Sequence, residues 1–232
     1  MHVDSKEVEK FTEIAFDWWN PDGKFQPLHA MNLVRLEYIK DKILNQFGAL
    51  DKIKILDVGC GGGLASIPLA NLGADVVGID AGLANIEAAQ EEAKKQNIVV
   101  NFQNELLENI EEQFDVVISL EVIEHVPNYA EFLEALALRV KKDGMLIIST
   151  INRNFKSYLL GIVAAEYLLR WVDIGTHEHK KFVKPSEIHT ELKKRSFIIS
   201  DIKGVEYEYS STDFKLTNNI DVNYILCAKE QS

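Results

Sequence analysis

Gly59, Gly61, Gly62 and Gly63 lie between a short apolar run that ends at Val58 and a helical pattern that begins near Leu64. A strand passing through such a loop into a helix restricts the fold more than any other feature of the chain. The loop needs backbone conformations that a Cβ disfavours, and it lets a ligand approach the main chain closely. Strand, glycine loop and helix together open the doubly wound α/β sheets, whose ligands bind beyond the carboxyl ends of the strands.

The rest of the pattern agrees. Lys52–Val58, Ala74–Asp80, Val99–Gln103, Phe114–Leu120 and Met145–Thr150 are predicted strands. Helices are predicted from Leu64 to just before Gly73, over Ala84–Gln96 and over Tyr129–Val140. Phe114–Leu120 is a nearly continuous apolar run, the composition of a strand buried on both faces. This alternation predicts an α/β fold with a Rossmann-like parallel sheet, since right-handed crossovers leave little topological freedom. Phe197–Val205 and Val222–Ala228 are joined by a polar loop without helical pattern, so they are expected to pair as antiparallel neighbours at the end of the sheet.

Ahead of the sheet, an N-terminal helical extension is expected over about residues 1–50. Its first helix, 5–19, carries Phe11, Ile14, Ala15, Trp18 and Trp19 at helical spacing. Its second, Asn32–Phe47, should bury Leu33, Leu36, Ile39, Ile43 and Leu44. The 232 residues suit one domain. A net charge of −11 argues against nucleic acid as a partner, because phosphate contacts require excess Lys and Arg. Two cysteines without metal-ligand spacing, Cys60 and Cys227, fit a reducing, cytoplasmic setting. No basic-then-apolar leader is visible, and no run reaches the roughly 18 apolar residues of a membrane span, so neither secretion nor membrane crossing is expected.

Asp80 closes the second strand 17 residues after Gly63, where a carboxylate can accept both hydroxyls of a ribose. A dinucleotide fingerprint, G-x-G-x-x-G, would put its third glycine at position 64, which is Leu64. The spacing found here suits a nucleoside with a methionine tail better than a pyrophosphate. Leu56-Asp-Val-Gly-Cys-Gly-Gly-Gly63 resembles the first motif of class I S-adenosylmethionine-dependent methyltransferases. The resemblance implies that Gly59 and Gly61 lie against the methionine part of S-adenosylmethionine and that Asp80 holds its ribose. It also implies that Leu120 flanks the cofactor and that Asn104-Glu105 lies near its adenine.

Glu121-Val-Ile-Glu-His125 follows the fourth strand at the same sheet edge. Were the segment helical, Glu121, Glu124 and His125 would share a face and could hold Mg²⁺ or another divalent cation, which would favour a phenolate. Alternatively, His125 acts alone as general base, or the segment simply packs beside the cofactor. After the fifth strand the chain departs for about 35 residues, 151–185. This insertion is apolar from Ser157 to Val172 and has six Lys or Arg against three Asp or Glu, in an otherwise acidic chain. It has the composition of a helix lying in an anionic membrane surface, and equally of a lid over a greasy substrate.

Longer strings narrow the resemblance. Phe16-Asp-Trp-Trp-Asn-Pro-Asp-Gly23, Glu121-Val-Ile-Glu-His-Val126, Ser149-Thr-Ile-Asn-Arg-Asn154 and Gly175-Thr-His-Glu-His-Lys-Lys-Phe182 are similar to those of the ubiquinone-biosynthesis O-methyltransferases. That resemblance implies transfer of a methyl group to a phenolic hydroxyl of a polyprenylated catechol or demethylubiquinol. It adds Arg35 to the cofactor set of Gly59, Asp80 and Leu120, with its guanidinium on the methionine carboxylate. It favours Glu121, Glu124 and His125 as metal ligands, with Glu124 and His125 catalytic. Peripheral membrane association and a complex with other ubiquinone-biosynthesis enzymes are further expectations. The alternatives are a methyltransferase for another small acceptor and a membrane-associated protein that binds or assembles without turnover.

Overall fold

The computed structural model describes residues 12, 15–20, 23, 25–159, 178–208 and 213–231. Helix α1 (Gln26–Phe47) leads into a sheet whose strands are β1 (Lys54–Val58), β2 (Asp75–Ile79), β3 (Asn101–Gln103), β4 (Phe114–Leu120), β5 (Val140–Ile151), β6 (Phe197–Glu208), β7 (Asp213–Thr217) and β8 (Asn223–Glu230). Helices α2 (Ser66–Asn71), α3 (Leu83–Gln96), α4 (Tyr129–Leu138) and α5 (Pro185–Lys193) connect them. The order across the sheet is β3-β2-β1-β4-β5-β8-β6-β7. β1 to β5 pair in parallel, whereas β8 is antiparallel to both β5 and β6. The expected doubly wound sheet with an antiparallel end is therefore present.

Each face of the sheet has its own core. On one, Tyr38, Ile39 and Ile43 of α1 and Leu69 of α2 pack on Ile55, Val116, Ile118 and Ile147. On the other, Phe132, Leu133 and Leu136 of α4 and Ile188 and Leu192 of α5 pack on Leu56, Val117, Leu146 and Leu226. Strand residues alternate between the two, as the period of a β-strand requires. The strand order reverses between β1 and β4, which start their connections in opposite directions. That crevice is where this architecture binds ligands.

Three expectations change. Helix α1 starts six residues earlier than Asn32, with Pro27 in its first turn, where a missing N–H costs nothing. Its buried face is rotated as well: Leu33 is 64% exposed and Leu44 is also exposed, whereas Asn32, Val34, Arg35 and Tyr38 join Ile39 and Ile43 inside. The polar loop between the last two predicted strands contains β7, which forms a hairpin with β6. Of the predicted first helix, Ala15–Asp17 form a 3-10 turn followed by a turn at Trp18-Trp19, and its other residues lie largely outside those described. The apolar stretch expected to be a membrane-surface helix falls mostly on 160–177, also outside them.

Candidate active site

The glycine loop turns out of β1 through left-handed conformations at Gly59 (φ 73°), Gly61 (φ 52°) and Gly63 (φ 82°). Side chains there would also meet hard neighbours. A Cβ on Gly61 would lie 2.5 Å from the Trp18 ring, and one on Gly59 would run into Val122. The amides of Gly59 and Cys60 both donate to the Ile79 carbonyl, at 2.8 and 3.0 Å, which fastens the loop to the end of β2.

Asp80 follows directly. Its Oδ2 accepts from the Gly61 amide at 3.0 Å; its Oδ1 accepts from the Gly82 amide at 2.8 Å and from Asn85 Nδ2 at 3.0 Å. The carboxylate is thus pinned facing the glycine loop, where the sequence expected a ribose partner. Asn104 Nδ2 donates to the Asp80 and Ala81 carbonyls, both at 3.0 Å, and draws the end of β3 to the same place.

Helix α1 closes the other side with two polar residues from adjacent turns. Asn32 Nδ2 donates to the Leu64 carbonyl at 2.7 Å, and Arg35 Nη2 donates to Glu121 Oε1 at 2.6 Å. Arg35 is only 1% exposed, and its buried Nε has no partner among the described residues. A buried guanidinium with a spare donor beside a glycine loop fits a carboxylate ligand such as a methionine tail. With Asp80 facing the loop, the residues present fit S-adenosylmethionine.

Beyond Leu120, Glu121 adopts φ 55°, a conformation uncommon for residues with a side chain, and the chain turns sharply. Ile123–His125 then form a 3-10 turn, not a helix that includes Glu121. Glu121 Oε1 also accepts from Ser149 Oγ at 2.7 Å, and Glu124 Oε2 accepts from Thr150 Oγ1 at 2.7 Å. Glu124 is 2% exposed, and its Oε1 has no partner among the described residues. Burial, then the charge of Glu121, pushes the Glu124 carboxyl well above the usual carboxylate range. His125 is half-buried.

The expected helical face of Glu121, Glu124 and His125 is therefore not formed. Glu121 is drawn by Arg35 and Ser149, and its charge still reaches the buried Glu124 carboxyl. Among the described residues, no three His, Cys, Asp or Glu side chains group so as to hold a metal ion. This arrangement does not fit a three-ligand metal site, and no chemical step is derived through one.

Of the residues expected around the cofactor, the structure joins Gly61 to Asp80 and ties Gly59 to Ile79, the residue before Asp80, and it joins Arg35 to Glu121, the residue after Leu120. Sequence reasoning missed Asn32, Asn85, Ser149 and Thr150. The last two lie in a string used only for family resemblance, and the first two are single amides, each with a partner more than 30 residues away, Leu64 for Asn32 and Trp18 for Asn85.

A family model described as a methyltransferase domain matches residues 28–199. The ubiquinone biosynthesis O-methyltransferase of Rickettsia felis is 48% identical over 227 residues, covering 97% of this chain and 93% of that protein. The protein of that name from Pelagibacter ubique is 43% identical, covering 96% of each chain. The chain belongs to the ubiquinone-biosynthesis O-methyltransferase family. Among solved structures, magnesium protoporphyrin IX methyltransferase from Synechocystis PCC 6803 with bound SAM superimposes with a TM-score of 0.70 at 21% identity, covering 100% of this chain and 98% of that one. The plantazolicin methyltransferase BpumL with SAH gives a TM-score of 0.65 at 19% identity, covering 97% of each. These two likenesses show the fold.

Proposed function

We propose that this chain moves the methyl group of S-adenosylmethionine to a phenolic hydroxyl of a polyprenylated catechol or demethylubiquinol. The observation that carries the reading is the meeting, at one sheet edge, of the glycine loop, Asp80 and the spare donor of buried Arg35 with the buried Glu124 carboxyl. Full-length similarity to proteins of that name supplies the acceptor class.

The bound cofactor supplies an electrophilic methyl on sulfur. Asp80 would hold the ribose and Arg35 the methionine carboxylate. His125 takes the phenol proton, and Glu124, held by Thr150, steers the hydroxyl through its unshared Oε1. The phenolate oxygen would be the acceptor for that methyl, S-adenosylhomocysteine leaving as the S–CH₃ bond breaks, with proximity and a water-poor pocket lowering the barrier. A divalent cation recruited by Glu121, Glu124 and His125 would need those side chains to regroup, and a chelator tests it.

Membrane association belongs to this reading as well. No helix among the described residues is long and apolar enough to cross a membrane. At the entry to the insertion, however, Phe155 is 75% exposed and Tyr158 and Leu159 are exposed beside Arg153 and Lys156. Apolar and basic residues so placed support peripheral attachment to an anionic surface on the cytoplasmic side.

The deciding assay supplies labelled S-adenosylmethionine with a short-prenyl catechol and, separately, a soluble catechol, each with and without chelator. Methylation should favour the prenylated acceptor. Glu124→Ala and His125→Ala should each lose roughly 10²-fold or more in turnover while binding the cofactor as the wild type does. Full activity in either variant removes that residue's role, and full activity in chelator removes the metal. Anionic vesicles should sediment the protein, and neutral ones should not.

A further inference from the structure

The Phe16–Gly23 string characterises the family resemblance, yet the proposed chemistry gives it no task. Both of its tryptophans spend their indole N–H on the cofactor apparatus. Trp19 Nε1 donates to the Gly62 carbonyl at 2.7 Å, and Trp18 Nε1 donates to Asn85 Oδ1 at 2.9 Å. Asn85 is 3% exposed, and its Nδ2 donates to Asp80 Oδ1 at 3.0 Å. The Trp18 hydrogen bond fixes which end of the Asn85 amide faces Asp80, since only one orientation gives Trp18 an acceptor and Asp80 a donor.

The Trp18 ring also forms the floor against which the glycine loop is pressed. A Cβ on Gly61 would come within 2.5 Å of it, and one on Gly62 would collide with it. Its other face stacks on Phe25, with centroids 4.0 Å apart and planes at 6°. The Trp18 carbonyl is held in turn by His29 Nε2 at 2.8 Å, on α1. The ring is thus wedged between the loop and the start of α1.

We infer that Trp18 and Asn85 are positioning residues for the cofactor, a relay in which the N-terminal segment orients the Asp80 carboxylate and sets the floor of the glycine loop. The inference rests on the reading of Asp80 as the ribose partner. A carboxylate that accepts from Asn85 and Gly82 on Oδ1 and from Gly61 on Oδ2 cannot rotate, so its one remaining lone pair, on Oδ2, is pre-aimed at a ribose hydroxyl. Loosening the relay should weaken cofactor binding without touching the acceptor or the chemical step.

The test measures S-adenosylhomocysteine binding by calorimetry, and steady-state kinetics with a prenylated catechol, in the wild type, Trp18→Phe, Asn85→Ala, the double variant and Asp80→Ala. Trp18→Phe keeps an aromatic ring but removes the N–H and the outer part of the indole that lies under Gly61. It should raise the dissociation constant at least about 5-fold, the loss of one hydrogen bond of about 1 kcal/mol being the minimum. Asn85→Ala should raise it 10-fold or more, and the double variant should match Asn85→Ala. Turnover at saturating cofactor and the KM of the acceptor should stay within twofold in all three. Should Asn85→Ala not fold, Asn85→Ser takes its place. An unchanged dissociation constant in Trp18→Phe, additive effects in the double variant, or parallel losses in turnover and acceptor KM would overturn the relay. If the wild type itself binds no S-adenosylhomocysteine, the cofactor reading fails and takes the relay with it. If Asp80→Ala loses binding while Trp18→Phe does not, the relay alone fails.

Discussion

Asp57 lies one residue before the end of β1, ahead of the glycine loop, with its carboxyl wholly enclosed. Burial pushes it up to about 7, partly offset by the Ser66 hydroxyl at 2.5 Å and assisted by the charge of Asp80. A folded-state value above the ordinary 3.8 means that the folded chain keeps a proton which the unfolded chain sheds between those two values. Stability from this group is therefore full below about pH 4 and lost progressively as pH rises to about 7, then flat. The slope is about 1.4 kcal/mol per pH unit, hence about 2 kcal/mol between pH 5.5 and 7. Asp57→Asn keeps the shape and an acceptor for Ser66 but has nothing to titrate. Urea unfolding of both proteins across pH 5.5 to 8 should show the wild type losing this increment relative to the variant. Parallel curves would mean that Asp57 is ionised in the fold.

At the scale of elements, Gly204 in β6 shows what the loop after it demands. A Cβ there would run into the Asn219 carbonyl, backbone against backbone, where the chain leaves β7 for β8. Gly204→Ala should cost about 1–3 kcal/mol by overpacking, read as a lower urea midpoint, with the parallel part of the sheet intact by circular dichroism. A neutral result would mean that this turn shifts freely. The same hairpin marks where sequence reasoning runs out. β1 to β5 are legible because strands buried on both faces are continuous apolar runs, bounded here by glycine and charge. β7 is short, and its Asp213-Phe-Lys-Leu-Thr217 reads as polar loop because only Phe214 is buried. Helix α1 is legible as a helix but not in its orientation. Its inner face spends two positions on Asn32 and Arg35, which periodicity assigns to solvent, and leaves Leu33 outside. Trp18 and Trp19 fail for a related reason. Their spacing suits an amphipathic helix, but the segment forms a turn, in which Asn20 Nδ2 donates to Asp17 Oδ1 at 2.8 Å, while the Trp18 indole is held by Asn85 and the Trp19 indole by the glycine loop. In each case a side chain placed for the site breaks the local pattern.

Across the whole molecule, the proposed cofactor cradle draws on parts that the chain keeps far apart: the glycine loop after β1, Asp80 after β2, Arg35 on α1 and the turn after β4. The glycines and Asp80 are legible because a strand end fixes their place. Arg35 needs the tertiary fold, since its partner Glu121 is 86 residues away. A ligand that bridges these parts should stabilise the fold as one unit. S-adenosylhomocysteine at a hundred times its dissociation constant should add about 2.7 kcal/mol. For a chain of this size, that is a rise in melting temperature of about 5–10 °C. Adenosine carries the ribose for Asp80 but no carboxylate for Arg35, so at the same concentration it should raise the melting temperature far less. Arg35→Met should shrink the S-adenosylhomocysteine shift toward the adenosine value and leave the adenosine shift as it was. Equal shifts for the two ligands in the wild type would take Arg35 out of the cofactor site and confine its buried charge to holding Glu121.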